Sequence, residues 1–231
     1  MKSMKNTIAA ALGLAFACTA NALPILQLDI QGGIYDATTQ TVVAQSNTFT
    51  LYAYLIAKDS SLLDDAYGLS MALTPKFGPE ADSLGTFLFN GQTIDATADM
   101  TYGTPPIDTV ATQLHDDGDL SPHGIFDTYF FEYVFDFNGA PQSGAYNTAD
   151  DTGQGPIAGT GMYYRAFTFD VTDLDTQYAL HFDLYNIKLI NACNGNGNAN
   201  CVVGDVDQTR FAPFSHDAQS GNGGGGRVFF S

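Results

Sequence analysis

The chain is written in alternation. In TFTLYAYLI (48–56), Phe49, Leu51, Ala53 and Leu55 fall on one side of an extended backbone and Thr50, Tyr52 and Tyr54 on the other, which is the period-two pattern of a half-buried strand. YALHFDLYNI (178–187) is sharper. Tyr178, Leu180, Phe182 and Leu184 oppose Ala179, His181, Asp183 and Tyr185, predicting a strand with one wet face. The same rhythm predicts strands in ILQLDI (25–30), YGLSMALT (67–74), LGTFLFN (84–90), TIDATADM (93–100), TYFFEYVFDF (128–137) and MYYRAFTFDV (162–171). Helical periodicity is confined to a turn or two between Asp59 and Asp65.

Turn chemistry separates these segments. YGTPPIDT (102–109), NGAPQSGAYNTADDTGQGPIAGTG (138–161) and NGNGNAN (194–200) are built from Gly, Pro, Asn and Asp, residues that tolerate positive φ, fix φ or bond their own backbone. Short strands with loops between them and no interleaved helices predict an all-β fold, an antiparallel β-sandwich or jelly roll with long Gly/Asn/Asp-rich loops. The predicted sandwich domain spans residues 23–218. Residues 219–231, containing SGNGGGGRVFFS, read as a Gly-rich flexible tail.

Composition adds an address. Residues 1–22, MKSMKNTIAAALGLAFACTANA, combine Lys2 and Lys5 with an apolar run from Ile8 to Ala17 and an Ala20-Asn21-Ala22 cleavage site, the layout of a secretory signal peptide. Cleavage near Ala22 would leave a mature chain beginning at Leu23, secreted or at the cell surface, with no membrane span. Lipoprotein processing at Cys18 is the rival, although Ala15-Phe16-Ala17 lacks a leading Leu. The formal charge is −17. Residues 1–22 carry Lys2 and Lys5 and no acid, so their removal takes it to −19. Such a surface repels nucleic acid and anionic lipid and favours counter-cations. Two cysteines then remain, Cys193 and Cys201. In an exported chain they are most simply a disulfide, worth about 2.5 kcal/mol for so short a loop. A two-thiolate metal site would need further ligands that the neighbouring residues do not supply.

Several segments are candidates for chemistry. In HDDGDLSPHG (115–124), Asp116, Asp117 and Asp119 offer hard oxygen ligands to calcium, and the histidines leave a His-containing transition-metal site as the other metal reading. The two histidines argue against a single calcium site including all five residues, since imidazole belongs with zinc, copper or nickel. DDGD and SPHG are equally two successive exposed turns. A second acidic candidate, Asp205, Asp207 and Asp217 beside His216, lacks the order of an EF-hand loop. His181 and Asp183 are neighbours on one strand face. Glu132 and Arg165 each stand inside a predicted strand. An unpaired buried guanidinium would be costly, so a carboxylate should hold Arg165, with Glu132 as a candidate partner. The aromatic row Tyr129, Phe131, Tyr133, Phe135 and Phe137 could stack on sugars, but such a stripe is the usual content of a sandwich core. The chain has no HExxH zinc helix and no G-x-S-x-G elbow.

LPILQLDIQGGIYD, TFTLYAYL, TADMTYGTPPIDT, HGIFDTYF, GTGMYYRAFTFDV, HFDLYN and FAPFSHDA together resemble the choice-of-anchor N family of exported bacterial surface proteins, across essentially the whole mature chain. The resemblance implies an extracellular domain followed, in different members, by different sorting tails, PEP-CTERM among them, and it brings no catalytic residues. This chain departs from the pattern after FAPFSHDA, where a glycine run and RVFFS replace a sorting motif. The expected function is that of a cell-surface or extracellular-matrix β-sandwich, non-enzymatic and structural or adhesive, whose partners would be envelope or matrix polysaccharide or protein. The alternative is a carbohydrate- or small-ligand-binding module using exposed tyrosines such as Tyr52, Tyr54 or Tyr185. A carboxylate-based glycoside hydrolase using Glu132 and an Asp is the third.

Overall fold

The computed structural model describes residues 23, 25–75, 78, 79, 83–103, 105, 127–188, 212, 213 and 216–221. They form thirteen strands: β1 (Leu26–Ile30), β2 (Ile34–Asp36), β3 (Thr41–Val43), β4 (Thr48–Leu55), β5 (Tyr67–Thr74), β6 (Thr86–Phe89), β7 (Gln92–Asp95), β8 (Thr101–Gly103), β9 (Thr128–Phe135), β10 (Gln142–Gly144), β11 (Gly161–Asp170), β12 (Ala179–Asn186) and β13 (Asp217–Gln219). A 3-10 turn lies at Ser60–Leu63. Asp59 caps it by accepting from the Ser61 N–H, as Asp does at helix starts. The expected turn between Asp59 and Asp65 is thereby observed.

Two sheets face one another. The first has the order β1-β4-β11-β6-β7 with β10 paired to β11, and the second the order β2-β3-β13-β12-β5-β9-β8. Pairing among the described strands is antiparallel except between β3 and β13, which run parallel. The expected all-β sandwich is the observed fold. Alternation explains the layering. Phe49 and Leu51 of β4, Phe167 and Phe169 of β11, Leu180 and Phe182 of β12, and Leu69 and Met71 of β5 all enter one shared core. Rings meet across the layers, Phe49 with Phe182 at 6.0 Å, Phe169 with Phe182 at 4.8 Å and Phe135 with Phe167 at 5.1 Å, in the edge-to-face and tilted geometries that aromatic quadrupoles favour. The aromatic row of β9 is thus core. Tyr133, its most exposed member, still packs against Phe89 at 5.0 Å.

Three expectations need correcting. The outer face of β12 is not wet. Asp183 and Tyr185 are buried there, and only 12% of the His181 side chain is exposed. The sandwich also runs past residue 218. β13 ends at Gln219, whose carbonyl accepts from Ala44 N–H, and the Ser220 hydroxyl is buried, accepting from Leu180 N–H. Finally, Arg165 meets Asp136, not Glu132. Its Nε donates to the Asp136 carbonyl at 2.8 Å, while Nη2 donates to the Asn138 carbonyl at 2.6 Å and to Asp136 Oδ1 at 3.3 Å. Arg165 shares the inward parity of Phe167 and Phe169, whereas Glu132 opposes Tyr129 and Phe131 and so lies on the far side of the other sheet. The carboxylate in reach is the one just beyond the end of β9.

Candidate functional site

Strand register assembles a polar row on the outer face of the seven-stranded sheet. Thr41 of β3 pairs with Asp217 of β13. The β13–β12 register, His181 with Gln219 and Phe182 with Ala218, carried one step further, sets Asp217 opposite Asp183. Asp183 pairs with Ser70 of β5, and Ser70 with Glu132 of β9. Residues opposite each other in an antiparallel pair share a face and stand about 5 Å apart at Cβ. The sheet thus lines up three carboxylates and a serine, with His181 one step along β12.

Geometry concentrates at one end of this row. His181 Nε2 lies 3.6 Å from Asp183 Oδ1 and 3.8 Å from Asp217 Oδ2. One ligating atom from each residue falls within 4.8 Å of the other two. The two shorter separations exceed hydrogen-bond length. They are close to the spacing of roughly 3.3–3.6 Å between two donors bound to one ion at about 2.0–2.2 Å in tetrahedral coordination. Side-chain exposure falls from 12% at His181 through 6% at Asp183 to 2% at Asp217, so access is from the imidazole side. Burial, and then the Asp183 charge, push the Asp217 carboxyl well above the ordinary carboxylate range.

At the other end, Tyr185 Oη donates to Glu132 Oε1 at 2.9 Å. Burial first, and the Glu132 charge second, raise its pKa. Reaching Glu132 takes the ring across β5 over Gly68, where an added Cβ would sit 2.4 Å from Tyr185 Cζ. Gly68 is therefore a matter of space: any side chain there would displace the ring.

The outer face of the six-stranded sheet carries a second buried network that the sequence reading did not single out. Asp29 Oδ1 accepts from Ile30 N–H at 2.9 Å and from Gly153 N–H at 2.8 Å, and Oδ2 accepts from Tyr146 Oη at 2.9 Å and Gly155 N–H at 3.2 Å. Tyr146 Oη stands 2.9 Å from Tyr54 Oη. With the Tyr146 proton directed to Asp29, Tyr54 is the donor of that pair. Gly153 and Gly155 have φ of +81° and +66°, the left-handed region where glycine carries no Cβ penalty, and this turn aims both N–H groups at one carboxylate. Gln27 completes the attachment, with Oε1 accepting from Thr148 N–H at 3.0 Å and Nε2 donating to the Tyr146 carbonyl at 3.2 Å. Burial raises Asp29 above the usual carboxylate range despite its four hydrogen bonds. The one available signal was a lone Asp inside the apolar ILQLDI segment.

The other sequence candidates divide. Asp116, Asp117, Asp119, Cys193, Cys201, Asp205 and Asp207 lie outside the described residues. Asp217 lies within them, and its neighbours are His181 and Asp183. His216, on the opposite parity, has Nε2 2.7 Å from Asn147 Oδ1, and burial lowers its pKa. Of the three tyrosines expected to be exposed, Tyr54 and Tyr185 are fully buried, and half-buried Tyr52 donates to Gln31 Oε1 at 3.2 Å. No helix of the described residues is long and apolar enough to cross a membrane. No protein-family profile, no curated protein and no solved structure matches the chain.

Proposed function

We propose that the chain is an exported, non-enzymatic β-sandwich that serves as a structural or adhesive component of the cell surface or extracellular matrix, with residues 1–22 directing export. The observation that carries this reading is the internal use of the tyrosines. Tyr54 and Tyr185 are fully buried, and both hydroxyls are engaged in hydrogen bonds on the two outer sheet faces. A stacking platform for sugars needs exposed rings, and these are withdrawn into the scaffold. The row of signal-like residues and the resemblance to choice-of-anchor N proteins support the same reading, as does an acidic surface suited to the outside of a cell.

The test is to express the full chain with an epitope tag in the glycine run, fractionate the cells and sequence the N-terminus of the product. The expected product begins near Leu23, is reached by antibody on intact cells or found in the medium, and is silent on a glycan array and a polysaccharide-hydrolysis panel. Retention in the cytoplasm with Met1 intact would overturn the export reading. Saturable binding to one sugar class, or turnover lost in Glu132→Gln, would replace the structural role with a binding module or a hydrolase.

A further inference from the structure

We propose that the outer face of the seven-stranded sheet is a binding site for a divalent transition-metal ion of the zinc class, held by His181 Nε2, one Asp183 oxygen and one Asp217 oxygen. Three observations converge on it. The donor atoms lie within 4.8 Å of one another, with the imidazole nitrogen 3.6 and 3.8 Å from the two carboxylate oxygens. This is the approach of ligands around a common centre. The ligands come from two adjacent strands whose register fixes them, so little order has to be imposed when an ion enters.

The third observation is independent of the acids. Ser70, opposite Asp183 on β5, is fully buried, and its Oγ makes no hydrogen bond. A buried hydroxyl without a partner is costly and uncommon. On this face a water in the fourth position of a three-ligand ion would supply its partner, in the manner of zinc sites that keep one open position. The imidazole selects the ion. Calcium takes six to eight oxygens, whereas one nitrogen and two carboxylate oxygens suit zinc and its neighbours.

The consequence is mechanical. β13 is three residues long and shares two register pairs with β12. An ion bridging Asp217 to His181 and Asp183 would fasten this last strand to the centre of the sheet. The inference does not depend on export or on the structural role, and its test reads metal directly.

The purified full chain is stripped with chelator, dialysed against zinc, manganese or calcium chloride, and assayed for retained metal and thermal unfolding. Zinc is expected at about one equivalent per chain, with a rise in melting temperature of several degrees over chelator and slower proteolysis after β13. Calcium should be retained less. His181→Ala and Asp183→Asn should retain at least ~10-fold less zinc, and Asp95→Asn, at the end of β7 in the other sheet, should retain as much as the wild type. Asp217→Asn separates binding from folding. It should melt at or above the wild type in chelator, because a buried carboxylate is gone, yet gain nothing from zinc. Zinc retention unchanged in His181→Ala, or identical melting of the wild type in zinc and in chelator, would overturn the site.

Discussion

Each outer face of the sandwich carries a carboxylate that accepts from a buried tyrosine, Asp29 from Tyr146 and half-buried Glu132 from Tyr185, each at 2.9 Å, yet the surroundings differ in kind. Asp29 gathers three backbone N–H groups and one phenol onto its two oxygens. That inventory nearly saturates a carboxylate and leaves no room for an ion. Asp183 and Asp217 instead stand side by side, with an imidazole nitrogen beyond hydrogen-bond length from both. Burial raises Asp29 and Asp217 alike, so perturbation does not tell the two places apart. Donor geometry does. A carboxylate ringed by backbone N–H groups bolts a loop, while two carboxylates and an imidazole with ligating atoms within 4.8 Å of one another have the spacing of ligands to one cation.

The largest effect should follow from removing the bolt. Asp29→Ala leaves the N–H groups of Ile30, Gly153 and Gly155 and the Tyr146 hydroxyl without their acceptor, at about 1–3 kcal/mol per buried orphan before relaxation. A net loss of about 4 kcal/mol is expected from urea unfolding at neutral pH, with early proteolysis between residues 145 and 157. A loss below ~1 kcal/mol would mean that water replaces the carboxylate and that the two faces are less different than their hydrogen bonds indicate.

Next comes Gly68→Ala. The new Cβ would meet Tyr185 Cζ at 2.4 Å and Oη at 2.7 Å, so the ring must leave the face of β5 and lose Glu132. Overpacking of this kind costs about 1–3 kcal/mol. The companion Tyr185→Phe keeps the ring and removes only the hydroxyl, and should cost less than Gly68→Ala. Equal costs in the two variants would place the whole effect in the Glu132 hydrogen bond.

The pH dependence of the chelated protein sharpens the comparison further. Asp217 has a folded-state pKa raised above 3.8 by burial and by Asp183. The folded chain therefore holds that proton more tightly than the unfolded chain. The stability it contributes is fully present below 3.8 and is lost as pH rises through the folded value. Over that window the wild type should lose up to about 1.4 kcal/mol per pH unit for one proton. Asp217→Asn should flatten the slope, with Asp29, raised in the same direction, contributing equally to both proteins. Asp95 works the other way. Hydrogen bonds led by the Ala98 N–H lower it, so its contribution is present above 3.8 and fades as pH falls through its folded value. Parallel stability curves for the wild type and Asp217→Asn between pH ~4 and ~7 would show that Asp217 ionises alike in both states.

How much of this was legible depended on length and on partners. β4, β5, β9, β11 and β12, each of eight residues or more, carry enough alternation to be read from the sequence. β2, β3, β8, β10 and β13, of three residues each, do not, because three positions cannot establish a period and their pairing is set by neighbouring strands. TIDATADM carried the pattern too far. After Asp95 the chain turns, with Asp95 Oδ1 accepting from the Thr97 and Ala98 N–H groups, as Asp does at turns. His181 and Asp183 could be placed on one face, but the conclusion that the face was wet came from their polarity alone. Asp217 was noticed among Asp205 and Asp207 because they are close in sequence, whereas its neighbours are set by the β12–β13 register. Arg165 was expected to need a carboxylate and has one. Choosing Glu132 overlooked parity, since Arg165 shares the inward side of Phe167 and Phe169 whereas Glu132 opposes the core-facing row of β9, and the carboxylate in reach, Asp136, lies past the end of that strand.

Arg165 supplies the smallest effect and tests the premise that burial gives the two faces their weight. It spans the sheets at the edge of the core, with 32% of its side chain exposed and 54% of that of Asp136, so solvent screens the ion pair. What remains are the donations to two backbone carbonyls. Arg165→Met, which keeps the aliphatic stem, should cost about 1 kcal/mol, and Asp136→Asn less, because both carbonyl contacts survive. The cost of Asp136→Asn should shrink further in high salt, while that of Asp29→Ala should not, since a hydrogen-bonded carboxylate sealed under a loop is hardly screened. If Arg165→Met proved as damaging as Asp29→Ala, the inter-sheet contact at this edge would matter as much as either buried face, and the distinction between bolt and ion site would concern local chemistry more than what holds the sandwich together.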